Sequence, residues 1–230
     1  MKELCIWHHM GMGDFYTCNG IVRHCASIYD KIHLFFKNPN KENVRYLYKD
    51  LKNIDFMDGG TCEDNLAEIW QLTHPGFPLL KIGFDYLNTS NLPFDEAFYE
   101  QAKLPFKYKW EKFYIKRDIK REKEIYYDVL KLKDDEEYFF VHDNNSCRIK
   151  NIDKNIKIIK PDNKDIRIHE FLYTIEKAKE IHLMMSSFIS LIDLLQFNHD
   201  KMFYHEYVRG PIEMGLISNW YKVTSDNYKV

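Results

Sequence analysis

The chain has 230 residues and no long hydrophobic run: no window approaches the roughly 18 consecutive apolar residues of a membrane-spanning helix. It also lacks a global excess of either charge. Thirty-three Lys and Arg face 35 Asp and Glu, for a formal net charge of -2, so there is no basic field of the kind that holds nucleic acid. The cysteines (Cys5, Cys18, Cys25, Cys62 and Cys147) form no CxxC pair and are odd in number, which argues against a disulfide framework and against a structural zinc site. The ten histidines are scattered. No HExxH or DxD pair occurs, so no metal site is expected. No GxSxG and no GxxxxGK[ST] occurs either, which removes a serine hydrolase of that fold and a P-loop NTPase. The N-terminus enters a strand-like run instead of a signal peptide, so the expected location is the cytoplasm, the host's cytoplasm if the protein is viral.

What is present is a core-forming composition, 45% hydrophobic and 16% aromatic, in a β–α rhythm. The apolar run Leu4-Cys5-Ile6-Trp7 leads through His8-His9-Met10 into Gly11-Met12-Gly13-Asp14. An amphipathic segment follows, with Cys18, Ile21, Val22 and Cys25 on one helical face. Further strands are expected at 31–36, 53–57 and 81–86, and helices at 40–51 and 63–72. The stretch 93–133 changes character, with a helix from Phe94 to Lys103, an aromatic-basic run, and a charged helix from Ile119 to Lys131. The β–α rhythm then returns, with strands at 137–142, 156–159, 180–185 and 201–205 and helices over 169–179 and after Ser186-Ser187. The expected fold is therefore α/β. It comprises two small Rossmann-like halves with parallel sheets, residues 1–92 and 134–230, around a helical insert at 93–133, with the default site in a cleft between the halves.

Candidate site residues cluster where strands end. Glycines at 11 and 13 let the backbone approach a ligand, the helix start favours an anion, and Asp14 is a carboxylate at the mouth of the turn. The same residues would equally serve a tight turn with Asp14 as N-cap. His8 and His9 end the first strand, where one points inward and the other can reach a phosphate or a sugar hydroxyl. Ser186 and Ser187 begin a late helix and offer hydroxyls and free amides to a phosphate, or simply cap it. His142, Asp143, Asn144 and Arg148 follow another strand. His142, Asn144 and Arg148 could clamp phosphate or base, Arg148 through its planar fork, although Asp-Asn-Asn-Ser is also ordinary turn composition. The run Lys103–Lys123 could stack single-stranded nucleic acid between Phe106, Tyr108, Trp110, Phe113 and Tyr114. The favoured reading packs these rings on a core and leaves the lysines wet.

The pattern strand–HHxGxGD–helix near the start and strand–SSF–helix near the end resembles the GT-B glycosyltransferases, and within them the heptosyltransferase-like group and its small viral and bacterial variants. The chain is shorter than a usual two-domain member, and its late motif lacks the family's Asp-Thr-Gly-Pro lettering. The resemblance implies an enzyme that moves a sugar from a nucleotide-diphospho sugar to a glycan or other hydroxyl acceptor, with no metal and no separate cofactor. Asp14 would be the general base, with His9 beside it. Ser186 and Ser187 would hold the diphosphate, and the His142–Arg148 cluster would face the nucleotide. The alternative is a non-catalytic nucleotide- or glycan-binding module using the same cleft. Nucleic acid is not an expected partner, and a homodimer is compatible with either reading.

Overall fold

The computed structural model describes residues 1–61, 66–84, 90–144, 146, 148–150, 152–209 and 213–224. The chain divides into two compact units. Unit 1 is Met1–Lys116 with Glu213–Gly215, and unit 2 is Arg117–Ile212 with Leu216–Val230, so the first boundary falls inside the 93–133 stretch.

Unit 1 is built on a four-stranded, wholly parallel sheet of β1 (Glu3–His8), β2 (Lys31–Phe36), β3 (Ile54–Asp58) and β4 (Leu79–Ile82), in the order β3-β2-β1-β4. The apolar runs of β1 and β2 are buried on both faces, as parallel strands flanked by helices require. The expected amphipathic helix forms in two pieces, α1 (Met12–Thr17) and α2 (Asn19–Ala26). Its face of Cys18, Ile21, Val22 and Cys25 is buried. Then come α3 (Lys41–Leu47) and α4 (Leu66–Thr73). Cys62 and the start of the helix expected over 63–72 lie outside the described residues. β4 starts two residues earlier than its apolar run suggests and stops at Ile82. There Gly83 (φ 89°) and Phe84 (φ 58°) turn left-handed, which no strand tolerates. Asp85 and Tyr86, expected in the same strand, lie outside the described residues.

The 93–133 stretch contributes α5 (Phe94–Gln101), two residues shorter than expected, and, from its aromatic-basic run, α6 (Tyr108–Glu111) to unit 1. One lysine is not wet. Lys109 Nζ is fully buried and donates to Asp95 Oδ2 (2.6 Å) and to the Gly215 carbonyl (2.6 Å), over the ring of Trp110. Asp95 Oδ2 also accepts the Gly215 N–H (2.9 Å). A buried ammonium must be paired, and here both partners of the pair are bonded to the backbone of residue 215.

Unit 2 carries α7 (Ile119–Glu124), which continues into a π-helical turn over Ile125–Val129 instead of running on to Lys131. Its sheet is again wholly parallel: β5 (Tyr138–His142), β6 (Lys157–Ile159), β7 (Glu180–Leu183), β8 (Met202–His205) and β9 (Trp220–Val223), in the order β6-β5-β7-β8-β9. β9 was not expected; its four residues, two half-exposed and two exposed, lie at a sheet edge and carry too short a pattern to read. Helices α8 (Leu172–Lys177) and α9 (Ser187–Leu195) cover one face, where Phe188 packs on Phe140. Buried Asp193 of α9 fixes the approach to β9, accepting from the N–H groups of Ile217 and Ser218 and from Trp220 Nε1.

The other face of this sheet holds a buried imidazole chain. His182 Nε2 lies 3.1 Å from the Glu180 carboxylate, and its Nδ1 lies 3.0 Å from His205 Nε2. With Glu180 accepting from Nε2–H, Nδ1 accepts in turn and His205 donates. Burial, and then the neighbouring His182, push the His205 imidazole down to about 3, and burial pushes His142 down to about 4, from an ordinary 6.5. The unfolded chain therefore takes up protons near pH 6.5 that the folded chain refuses. Stability is full above about 6.5 and is lost as pH falls toward 4 and 3, by up to on the order of 3 kcal/mol per histidine. Urea midpoints are expected to drop between pH 7 and pH 5, a range above most carboxylate titration, and His205→Gln should flatten that slope.

Candidate functional site

Both sheets reverse strand order at one point, between β1 and β4 in unit 1 and between β5 and β7 in unit 2. Open parallel sheets bind ligands at the carboxyl ends of the strands flanking such a reversal. The residues singled out from the sequence fall at these two edges.

In unit 1, β1 ends at His8. That side chain turns inward, 1% exposed, with its ring edge-on to Phe15 and Nδ1 2.5 Å from the His9 carbonyl oxygen. His9 is half-buried. Its Nε2 accepts the Phe84 N–H (3.0 Å), and its ring lies 4.3 Å from that of Phe84. Gln101 Oε1 accepts the neighbouring Gly83 N–H (2.6 Å), so two side chains hold the left-handed turn that follows β4. A Cβ on Gly83 would sit 2.5 Å from His9 Cδ2, so glycine is required there for packing as well as for its φ. Gly11 caps α1 without a side-chain hydrogen bond, and Asp14 lies in the first helical turn. A Cβ on Gly11 would meet Asp14 Oδ2 at 2.6 Å; the glycine makes room for the carboxylate at the helix start. Gly13 is half-buried, with its carbonyl accepting from Thr17 Oγ1 (3.0 Å). Asn40 Nδ2 donates to the Met10 carbonyl (2.7 Å) and anchors the turn from the next crossover, a role that only the tertiary fold reveals.

In unit 2, His142 at the end of β5 and Ser186 just past β7 meet, with Nδ1 and Oγ 2.9 Å apart. Burial keeps this imidazole neutral, and its ring packs 4.7 Å from that of Phe188. Because Ser186 turns its hydroxyl to His142, it makes no cap to α9; the helix begins without a side-chain acceptor on its first-turn amides. Ser186 and Ser187 are both half-exposed there. A neutral imidazole, two hydroxyls and the positive end of a nine-residue helix suit an anion. Arg209, which the sequence reading overlooked, reaches the same edge from the turn after β8, with Nη1 donating to the Met185 carbonyl (3.3 Å). Tracing β8 to its own carboxyl end would have found it.

The rest of the cluster divides. Asp143 is nearly buried and taken up internally, accepting from Lys160 Nζ (2.5 Å) and the Ile149 N–H (3.1 Å). Asn144 Oδ1 accepts the Ser146 N–H (3.0 Å), an Asx turn. Exposed Asn144 and Arg148 line a polar hollow of about 520 Å³ with Asp143, Lys160 and Asp162. Asn145 and Cys147 lie outside the described residues. A larger hollow of about 720 Å³, between residues 196–202 and 217–221, sits at the amino ends of β8 and β9, the edge away from these residues. Among the described residues no group of three or more His, Cys, Asp or Glu side chains is placed to hold a metal ion, and no helix is long and apolar enough to cross a membrane.

No family model matches the chain, and no curated protein does. Among solved structures, the chain is similar to the glycosyl transferase family 9 protein from Veillonella parvula DSM 2008. The TM-score is 0.58 and the identity 7%, over 98% of this chain and 86% of that one. At that identity the likeness is one of fold: two parallel α/β sheets with interleaved helices.

Proposed function

We propose that this protein is a glycosyltransferase that moves a sugar from a nucleotide-diphospho sugar to an acceptor hydroxyl. The observation that carries the reading is the His142–Ser186 pair at the uncapped start of α9, at the strand-order reversal of a sheet whose fold is shared with a glycosyltransferase. Asp14 takes the proton of the acceptor hydroxyl as its oxygen attacks the anomeric carbon. The bond from that carbon to the diphosphate oxygen breaks on the opposite face, inverting the centre, and the electron pair leaves with the nucleoside diphosphate. The α9 amides, Ser186, Ser187 and Arg148 meet the departing charge, which is electrostatic stabilisation of a leaving group by fixed donors. His142, neutral and bonded to Ser186, holds that hydroxyl in place. No metal ion has a part in this scheme, so turnover is expected to be unchanged by a chelator.

The test is a panel of nucleotide sugars with and without candidate acceptors, read as released nucleoside diphosphate, alongside the thermal shift given by each diphosphate. Release that depends on an acceptor and persists in EDTA supports the reading. Stabilisation by nucleotides with no release from any donor supports the second reading, a non-catalytic nucleotide- or glycan-binding module. One feature favours that second reading: Asp14 lies over Gly11 in the first turn of α1, where a carboxylate also serves a helix start.

A further inference from the structure

Unit 2 contains a third hollow, of about 670 Å³, beneath the crossover from β5 to β6. That volume is in the range of small-molecule sites. It lies on the face of the sheet away from α8 and α9, because Val141 and Ile158 lie on the face opposite Phe140, the residue that Phe188 packs on. Its floor is aliphatic throughout: Val141 and Ile149 are buried and packed with Phe139, while Ile152 and Ile158 complete it, Ile158 being 38% exposed. Among the described residues no aromatic ring lines the hollow, so a flat base finds no stacking partner there. The rim is cationic. Among the described residues, Arg148, Lys150, Lys154 and Lys160 line it against a single acid, Asp143, which Lys160 and the Ile149 N–H already satisfy. Three cations remain around an aliphatic floor.

We propose that this hollow binds an aliphatic anion, a hydrocarbon chain ending in a phosphate or carboxylate, with the chain on the isoleucine floor and the head group between Arg148, Lys150 and Lys154. The charge and the lining suit such a ligand: a neutral chain leaves three cations unanswered, and a bare anion leaves the floor wet. This inference uses neither Asp14 nor the start of α9; it shares only Arg148 with the sugar-transfer reading, and Lys150, Lys154 and the isoleucine floor have no part in that reading.

The test is calorimetric titration of the full chain with n-alkyl phosphates from six to twelve carbons, below their micelle concentrations, with alkyl carboxylates of matching length as a second arm. Affinity is expected to rise by about two- to fourfold per added methylene until the floor is covered, the amount that partial burial of a CH₂ supplies. It should fall with added salt as exposed cations are screened. Ile158→Glu places a carboxylate on the floor at a half-exposed position, and Lys150→Glu with Lys154→Glu reverses the rim. Each is expected to weaken decyl phosphate at least tenfold, while Leu72→Glu, on an exposed helix of unit 1, leaves it unchanged. Whether phosphate or carboxylate binds more tightly identifies the head group. Affinity independent of chain length, equal binding of decyltrimethylammonium, or binding that survives both unit 2 changes overturns the proposal. Loss of donor turnover alone does not bear on it.

Discussion

Asp14→Asn is expected to lower sugar transfer by about 10²–10⁴-fold, the range a positioned general base supplies. Nucleoside diphosphate binding should be unchanged, because the donor contacts proposed for unit 2 do not include residue 14. The substitution keeps the shape of the side chain over Gly11, so the turn that a Cβ at Gly11 would disturb is preserved. The asparagine loses only the charge that accepts a proton. Single-turnover rates with saturating donor separate the outcomes. A steep fall with unchanged donor affinity identifies the base, and an undiminished rate removes Asp14 from the chemistry and confines it to the helix start.

Lys109→Met is expected to destabilise the protein by about 3–5 kcal/mol, a fall in melting temperature of roughly 6–20 °C for a chain of this size. The Asp95 and Lys109 side chains are both fully buried, so removing the ammonium strands a carboxylate in an apolar setting and leaves the Gly215 carbonyl without its donor. The double change Asp95→Leu with Lys109→Met removes both charges and should recover part of the loss. Equal melting temperatures for the wild type and Lys109→Met would show that water reaches the pair. The double-variant comparison makes the test specific, since a cavity alone would not be repaired by it.

The parallel α/β architecture was legible because buried parallel strands write themselves as short apolar runs, as at Leu4–Trp7 and Tyr138–Val141. The helix ends and the second sheet's outer strand were not. β9 has four residues, none of them buried, and it is held by Asp193, which looks from the sequence like one more polar residue of a helix. Glycine in a turn is readable, but a left-handed Phe84 is not, because its φ is set by side chains 17 and 75 positions away, Gln101 and His9. At the site, the sequence put His142 and Ser186 at strand ends, but their contact comes from the pairing of β5 with β7, which no local pattern shows. Arg209 and Asn40 escaped because each acts on a backbone carbonyl supplied by a distant element. The wet-lysine expectation failed at Lys109 for the same reason, since its partners are a helix and a segment 106 residues onward.

That last separation has a consequence for biosynthesis. Unit 1 includes Glu213–Gly215, and Gly215 supplies both an N–H and a carbonyl to the Asp95–Lys109 pair. When Lys116 clears the ribosome, this ion pair is still missing two of its hydrogen bonds. At about 5–20 residues per second, the missing glycine arrives roughly 5–20 s later. The amino-terminal sheet thus waits in an unfinished state while the whole of the second sheet's first four strands is synthesised, and a fragment ending at residue 116 would keep that defect permanently.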